Sequence, residues 1–307
     1  MVSRRLLAVA GALAVDRMAG EPPGAVHPVA GFGRAMEVVE RHCYSPTLAG
    51  GAVYAALGIG LGGMGGAVVR STLVATYLAV GGRALADAAA AVGEALDRGD
   101  LDRARTLLPG LVGRDPDGLD EAELSRAVVE SVAENTVDAV IAPALWAALA
   151  GAPGALGYRA INTMDAMVGH RSSRYRRFGT PAARLDDAAN WVPARLTALL
   201  VAVARPHRAA EVWRTVRADA PGHPSPNSGV AEAAFAAALG VGLGGRNRYG
   251  PRVEDRPRLG AGPAAARQDI GPAVRLSRDC TLALAGLLLV GSLVAGGTSR
   301  GRGRVRP

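Results

Sequence analysis

Three long stretches without a charged residue constrain this chain more than any other feature. They cover residues 43–69, 139–158 and 280–299. Each is as long as the roughly 20 apolar residues that an α-helix needs to cross a bilayer. Only helices and closed barrels satisfy their backbone hydrogen bonds in lipid. The sequence therefore predicts an all-α, polytopic integral membrane protein with several transmembrane helices and polar helical loops, in a single membrane-embedded domain over residues 1–307.

Shorter apolar stretches leave the number of crossings open. They cover residues 6–15, 71–82 and 196–204. Aromatic residues make up only 4% of the chain while glycine contributes 41 residues, which is typical of membrane helices that approach closely. Arginines near both ends predict cytoplasmic termini by the positive-inside rule. We therefore expect a multi-pass protein of the cell membrane with an even number of crossings.

The positive charge favours small anionic ligands over nucleic acid. The formal net charge is +8, and all 35 basic residues are arginine. Arginine forks bind phosphate and carboxylate groups, although a GC-rich genome that replaces lysine throughout is the simpler explanation. No helix-turn-helix or zinc-finger spacing occurs, and aromatic residues do not alternate with the arginines, which argues against a nucleic-acid partner. Cys43 and Cys280 form no metal-ligand pattern.

Polar residues are concentrated around the central apolar run. Before it, Glu130, Glu134 and Asp138 recur every four residues, which places three carboxylates on one helix face. Carboxylates beside a membrane span are costly unless they are paired, hydrated or bound to a cation. The polar residues after the run are Asn162, Asp165, His170, Arg171, Arg174, Tyr175, Arg176, Arg177, Asp186, Asp187 and Asn190. This density indicates a chemical site.

Two further segments rich in proline carry polar side chains. These side chains are Asp16, Glu21, His27, Arg34, His223, Ser225 and Asn227. Such segments are commonly only turns. Residues 1–15 have the form of a signal sequence, but the polar segment directly after them argues against cleavage. Asp120 with Glu123 three residues later predicts a helix cap, and residues 246–278 are predicted as a surface loop plus a short helix.

Five sequence blocks occur in one fixed order along the chain. They read EPPGAVHPVAGFGR, ESVAENTVDAVIAPALWAAL, INTMDAMVGHRSSRYRRFG, ARLDDAANWVPARLTAL and DAPGHPSPNSGVAEAAFAAALGVGLGG. Together they resemble the adenosylcobinamide-phosphate synthase family, polytopic membrane proteins of late cobalamin biosynthesis, from about Asp16 to the last apolar run. In the third block, Arg171 and two serines stand where family members often carry a lysine and an asparagine.

The resemblance implies a specific amide-forming reaction. Its substrates are adenosylcobyric acid and (R)-1-amino-2-propanol O-2-phosphate, or ethanolamine phosphate, and its product is adenosylcobinamide phosphate. ATP with Mg²⁺ is the implied energy source, because a carboxylate must be activated before it forms an amide. No Walker A loop or Rossmann glycine fingerprint is present, so ATP binding of an uncommon type is expected. The implied partners are the corrinoid, the aminoalcohol phosphate, the lipid bilayer and other cobalamin-assembly enzymes.

The polar residues suit this reaction in three roles. Catalysis is predicted for the carboxylates of Glu130, Glu134, Asp138, Asp165, Asp186 and Asp187. Mg²⁺ prefers one or two carboxylates plus substrate phosphates, and Glu134 and Asp186 are the predicted ligands. The planar guanidinium groups of the arginines are predicted to bind phosphate. The asparagines are predicted to bind the amide groups of the corrinoid. The predicted substrate-binding residues are His27, Arg34, Asn135, Asn162, Arg171, Arg174, Tyr175, Arg177, Asn190, His223, Ser225 and Asn227.

Structural alternatives stay open for most of these residues. In the structural interpretation, Glu130 and Glu134 would form a solvated helix face or pair with Arg126. The arginines of residues 174–177 anchor the chain at the cytoplasmic surface. Asp186 and the asparagines cap helices, and the two predicted histidines bond only to backbone.

Two other classes of function compete with the enzyme. A small-molecule transporter uses bent spans and carboxylates at the membrane midplane, but no internal repeat is visible. A membrane head-group transferase carries repeated aspartates for two metals, whereas Asp186 and Asp187 point to different faces of a helix. The resemblance favours the amide-forming enzyme.

Overall fold

The described part of the chain folds mostly into helices, together with one β-hairpin. The structure is a computed structural model that describes residues 2–22, 27–113, 115–170, 172–249 and 252–301. The helices are α1 (Val2–Ala19), α2 (Pro28–Cys43), α3 (Leu48–Val69), α4 (Thr72–Ala79), α5 (Gly82–Asp97), α6 (Leu101–Leu107), α7 (Glu121–Thr136), α8 (Ala142–Val168), α9 (Thr180–Ala204), α10 (Ala209–Asp219), α11 (Ser228–Leu239) and α12 (Arg267–Gly301). Strands β1 (Leu243–Tyr249) and β2 (Arg252–Leu259) pair antiparallel. The predicted all-α class is confirmed.

Within the described residues, four helical stretches are long and apolar enough to cross a membrane. They are Leu48–Val69, Thr72–Asp97, Glu121–Val168 and Arg267–Gly297. The three long charge-free runs and the run after Arg70 each lie wholly or mostly in one of these stretches, so the predicted polytopic membrane protein is confirmed. The cytoplasmic location of both termini stays a prediction. The last three arginines on which it depends, Arg302, Arg304 and Arg306, lie outside the described residues.

Contacts between residues group the chain into two compact units. Unit 1 consists of Met1–Gly81, Asp138–Asn190 and Leu284–Pro307. Unit 2 consists of Gly82–Val137 and Trp191–Ala283. This grouping does not test the prediction of a single membrane-embedded domain over residues 1–307, which stays a prediction.

Unit 1 depends on close packing between α3 and α8. Gly58, Gly62 and Gly66 recur every four residues on α3 and face α8. A Cβ atom built on Gly62 would lie 2.6 Å from Ala160 Cβ, and one on Gly66 would lie 2.5 Å from the carbonyl oxygen of Ala152. Only glycine allows backbones to approach this closely. The prediction that the small residues of this run permit helix contact is confirmed.

Unit 1 exposes large apolar side chains on several helices, among them α3 and the last part of α12. Val68 is 80% exposed and Met64 is 63% exposed on α3. Leu293 and Val294, on α12, are 75% and 63% exposed. Large apolar side chains that water would disfavour are suited to contact with lipid.

The helical path from α7 to α8 is interrupted twice. A wider, π-helical turn follows α7 at Val137–Ile141, and Gly151 within α8 has the non-helical angles φ 69° and ψ −148°. Asp138 lies within this wider turn, and its predicted place on one helix face with Glu130 and Glu134 stays a prediction. The predicted bend in residues 139–158 is confirmed at Gly151, where glycine tolerates a positive φ.

Unit 2 is built around α11 and the hairpin. Helix α11 is apolar and too short to span a bilayer, and its residues Ala231, Ala234 and Phe235 are completely buried. At the start of α7, the predicted cap is confirmed: the Asp120 carboxylate accepts the Glu123 N–H, and the Glu123 carboxylate accepts the Asp120 N–H.

The prediction of a surface loop plus a short helix over residues 246–278 is wrong in two respects. Most of its first half pairs as β1 and β2, and the helix that starts at Arg267 continues to Gly301. The strands carry charged residues in both orientations, so alternation of apolar and polar residues does not reveal them. They are held by α7, more than 100 residues earlier in the chain, and local sequence does not show such a contact.

Candidate functional site

Glu130 and Glu134 of α7 line a cavity of about 100 Å³ within unit 2. The rest of its lining consists of Leu111, Val112, Gly113, Ser131, Glu232 and Arg256. The cavity therefore brings carboxylates from α7 and α11 together with a guanidinium group from β2. The four-residue spacing on α7 correctly indicated that Glu130 and Glu134 share a face.

Glu130 is almost completely buried and holds the hairpin against α7. Its Oε1 accepts the Gly244 N–H at 2.8 Å and lies 3.6 Å from Arg126 Nη1. Arg126 in turn donates to the carbonyl oxygens of Gly244 and, at 2.8 Å, of Arg246. The pairing of Glu130 with Arg126 is thus confirmed, whereas a solvated position for Glu130 is wrong. This ion pair anchors the strand that leads to Arg256.

Glu134 is half-buried at the wall of the same cavity. Its Oε1 accepts the hydroxyl group of Ser228 at 2.7 Å. The next residue, Asn135, donates to the carbonyl and hydroxyl oxygens of Ser131, both at 3.0 Å. The Asn135 amide is thus hydrogen-bonded within α7, whereas the Glu134 carboxylate is held by the first residue of α11.

Two lining residues, Glu232 and Arg256, form a second polar group together with His223, which lies beside them. Glu232 is completely buried, and its Oε1 lies 3.8 Å from both His223 Nε2 and Arg256 Nη1. Arg256 Nη1 lies 3.4 Å from His223 Nε2. Burial lowers the pKa of His223 below its ordinary value, and the neighbouring Arg256 charge acts in the same direction. The imidazole is therefore neutral near pH 7.

The sequence indicated only one member of this group, His223. Its Nδ1 lies 3.1 Å from the Ser225 N–H and 3.2 Å from the Ser225 carbonyl oxygen, so the predicted bond to backbone is confirmed but is not its only contact. A lone carboxylate within the apolar helix α11 is a signal that would have found Glu232. No local signal points to Arg256.

Ser225 and Asn227 have structural partners at the start of α11. The Ser225 hydroxyl oxygen accepts the N–H groups of Asn227 and Ser228, each at 3.2 Å. Asn227 Oδ1 accepts a hydrogen bond from Arg195 Nη1 at 3.0 Å. Arg195 also stacks over the Trp191 ring at 4.5 Å. Their predicted role in substrate binding stays a prediction.

A separate polar cluster in unit 1 joins two of the predicted aspartates through amides. Asn162 Nδ2 lies 3.2 Å from Asp138 Oδ2 and 3.3 Å from Asp186 Oδ1. Asn190 Nδ2 donates to Asp186 Oδ2 at 3.0 Å, and Tyr158 donates to Asn190 Oδ1 at 2.8 Å. Asp186 lies inside α9, so the alternative that it caps a helix is wrong. Four predicted residues meet here, and Tyr158 is the member that the sequence did not indicate.

A third cluster, also in unit 1, contains Arg174 and Tyr175. Arg174 Nη2 lies 2.9 Å from Glu40 Oε1, and the Tyr175 hydroxyl donates to the same oxygen at 2.9 Å. The guanidinium group lies 4.1 Å above the Tyr44 ring. The hydrogen bond to Glu40 raises the pKa of Arg174. Glu40 and Tyr44 are partners that the sequence did not indicate.

The remaining predicted residues lie outside these clusters. His27 caps α2, with Nδ1 accepting the Val29 N–H at 3.2 Å and Nε2 lying 3.6 Å from Glu21 Oε2, so its predicted bond to backbone is confirmed. Arg34 lies exposed in α2 and Arg177 lies exposed before α9. Asp165 is in the last turn of α8. Burial raises the pKa of Asp187, and Arg171 lies outside the described residues.

The described donor set does not fit a resident metal ion. Within residues 2–22, 27–113, 115–170, 172–249 and 252–301, no group of three or more His, Cys, Asp or Glu side chains could hold one. The two predicted Mg²⁺ ligands belong to different units, Glu134 to unit 2 and Asp186 to unit 1. Mg²⁺ that arrives with a nucleotide needs only one or two carboxylates besides the phosphates. The predicted roles of Glu134 and Asp186 as Mg²⁺ ligands therefore stay predictions.

Comparison with known proteins assigns the chain to a family. The family model described as CobD/Cbib protein matches residues 9–277. Cobalamin biosynthesis protein CobD of Mycobacterium tuberculosis is 48% identical over 280 residues, 86% of this chain and 88% of that protein. The protein of the same name from Chromobacterium violaceum is 44% identical over 306 residues, 92% of this chain and 97% of that protein. No solved structure matches. The chain therefore belongs to the CobD/Cbib family of cobalamin biosynthesis proteins.

Proposed function

We propose that the chain forms the amide bond between adenosylcobyric acid and (R)-1-amino-2-propanol O-2-phosphate, or ethanolamine phosphate, with ATP as the energy source. Membership of a cobalamin biosynthesis family supports the pathway. The observation that carries the chemistry is the place of Glu134, a half-buried carboxylate at the wall of a small charged cavity. We assign Glu134 to the amine substrate, in place of the Mg²⁺ role expected from the sequence.

The amine must lose a proton before it can attack. At neutral pH it is an ammonium ion, which has no lone pair, and a carboxylate within hydrogen-bond reach both binds this ion and accepts its proton. ATP with Mg²⁺ supplies the activation of the corrinoid carboxylate as an acyl phosphate. The new C–N bond then forms as the C–O bond to phosphate breaks, and phosphate leaves with the electron pair.

Ser228 keeps Glu134 in position, whereas Glu130 has a different role. Ser228 holds one carboxylate oxygen at 2.7 Å. Glu130 is engaged by the Gly244 N–H and by Arg126, so it acts on the hairpin and not on the proton. This division predicts that Glu134 contributes to the rate, whereas Glu130 contributes chiefly to stability.

The proposal is tested by replacing Glu134 with glutamine. Gln keeps the size and one acceptor oxygen but is not a base, so turnover should fall about 10²- to 10⁴-fold. The measurement is the rate of adenosylcobinamide phosphate formation by purified protein, followed by mass spectrometry. Glu94→Gln is the matched control, because Glu94 is exposed on α5 of the same unit and is paired only loosely with Arg98, at 3.9 Å.

The controls decide how the result is interpreted. Glu94→Gln should keep wild-type turnover, and both variants should keep the wild-type thermal midpoint. A Glu134→Gln protein that is folded and turns over at the wild-type rate would remove Glu134 from the mechanism.

A further inference from the structure

The size of the unit 2 cavity limits what it can hold. A water-sized group occupies roughly 10–15 Å³ on this measure, so a cavity of about 100 Å³ holds on the order of seven to ten such groups. An aminoalkyl phosphate, with about eight or nine non-hydrogen atoms, fits this limit. A nucleoside triphosphate or a corrinoid is several times larger. The cavity therefore suits the smallest of the proposed substrates.

The lining carries both signs of charge. Glu130, Glu134 and Glu232 supply carboxylates, and Arg256 supplies a guanidinium group. The two signs come from different elements, since Glu134 belongs to α7 and Arg256 to β2. A ligand with a cationic end and an anionic end can pair with the carboxylates and with the guanidinium group at once. A simple cation pairs only with the carboxylates, and a simple anion only with the guanidinium group.

The surroundings of Arg256 suit a phosphate oxygen. Arg256 Nη1 donates to His223 Nε2 at 3.4 Å, because a guanidinium nitrogen cannot accept a hydrogen bond. The single proton of the neutral ring is then on Nδ1, which lies 3.2 Å from the Ser225 carbonyl oxygen. His223 thus helps to orient the Arg256 guanidinium group, which lines the cavity. Glu232, 3.8 Å from both, orients them. Guanidinium groups bind phosphate through two parallel hydrogen bonds.

We propose that this cavity binds the aminoalkyl phosphate, with its ammonium group on Glu134 and its phosphate on Arg256 beside His223. The inference rests on the proposed function for the part that the ligand plays in the reaction. It moves the phosphate site from the arginines of residues 171–177, where the sequence placed it, to the hairpin. The hairpin is then a binding element, and the ion pair of Glu130 with Arg126 positions it.

The test measures binding without turnover. Isothermal titration calorimetry of the purified full-length protein in detergent, without ATP or corrinoid, uses ethanolamine phosphate, ethanolamine and inorganic phosphate as probes. Wild-type protein should bind ethanolamine phosphate more tightly than either of the other two. Charge-assisted hydrogen bonds contribute about 1.5–3 kcal/mol, so Arg256→Gln should raise the Kd for ethanolamine phosphate about ten- to hundredfold.

Further variants separate binding from folding. Arg256→Lys keeps the charge beside Glu232 but loses the fork, so it too should weaken binding of ethanolamine phosphate. Glu134→Gln should weaken binding of both amines. Arg246→Gln is the matched control, because Arg246 lies on β1 of the same hairpin with its side chain 75% exposed, and its Kd should equal that of the wild type.

Two results of the binding measurements would overturn the inference. One is a folded Arg256→Gln protein with the wild-type Kd for ethanolamine phosphate. The other is wild-type protein that binds inorganic phosphate as tightly as ethanolamine phosphate, which would indicate a general anion site. If binding depends on Arg256 but no amide is ever formed, the inference stands and the proposed function fails. If amide forms and Arg256→Gln leaves the KM for the amine unchanged, the proposed function stands and the inference fails.

Discussion

At the residue scale, Arg174 is held by two interactions that a phosphate group would have to replace. Its guanidinium group bonds to Glu40 Oε1 at 2.9 Å and stacks over Tyr44 at 4.1 Å. Glu40 is 9% exposed, and a buried carboxylate that loses its cation is destabilised. We therefore expect Arg174 to hold unit 1 together at this place.

Arg174→Lys tests this expectation against phosphate binding. Lysine keeps the positive charge but lacks the planar fork and stacks less well, so the thermal midpoint should fall measurably. The KM for the aminoalcohol phosphate should stay within about twofold of the wild-type value, because the phosphate is assigned elsewhere. A KM about tenfold or more higher, the size expected for a lost charge-assisted bond, would return the phosphate to this loop.

The cavity residues show which part of a site can be predicted from sequence. Glu130 and Glu134 share a face because a four-residue spacing is a local property of any α-helix. Arg256 joins them only because β1 pairs with β2 and is bonded to α7 through Arg126. That contact joins residues 120 positions apart. The sequence therefore indicates the carboxylate wall of the cavity but not its guanidinium group.

At the element scale, the packing of α3 on α8 depends on which face of α3 each glycine occupies. Gly62 faces α8, where an added Cβ would lie 2.6 Å from Ala160 Cβ and 2.8 Å from the Leu156 carbonyl oxygen. An added Cβ on Gly60 would meet nothing within 4 Å. The same substitution at these two positions therefore separates packing from helix propensity.

Gly62→Ala and Gly60→Ala should have opposite effects on stability. Overpacking should make Gly62→Ala less stable by about 1–3 kcal/mol, while alanine at position 60 should be neutral or stabilising by up to about 1 kcal/mol. Thermal unfolding of both variants in the same detergent measures the difference. Equal midpoints for the two variants would mean that α3 and α8 are not packed through this face.

The elements that the sequence predicted poorly are those with non-local or subtle causes. The charge-free runs predict α3, α8 and the apolar part of α12 because lipid imposes one solution on such sequences. The wider turn at Val137–Ile141, which contains Asp138, has no residue signature. The hairpin is stabilised by contacts with α7, and its charged strands resemble a loop when they are read alone.

At the scale of the whole molecule, the two units differ in surface. Unit 1 exposes large apolar side chains along α3 and α12. Among the described residues of unit 2, exposed large apolar side chains are confined to α9 and α12, at Trp191, Val192, Leu199, Val203 and Leu282. The charged cavity lies in unit 2, and its surface suits a substrate that arrives from water. A transporter would need a polar path within the apolar unit, whereas the proposed enzyme needs a site that small charged molecules can reach.

The central claim, that this chain is an ATP-dependent amide-forming enzyme, is tested most directly by one assay. Purified protein in detergent is incubated with adenosylcobyric acid, (R)-1-amino-2-propanol O-2-phosphate and Mg²⁺, with and without ATP, and the corrinoids are identified by mass spectrometry. We expect adenosylcobinamide phosphate only in the complete mixture, with one ATP consumed for each amide formed. Folded protein that forms no amide in the complete mixture, or that forms it equally well without ATP, would contradict this account.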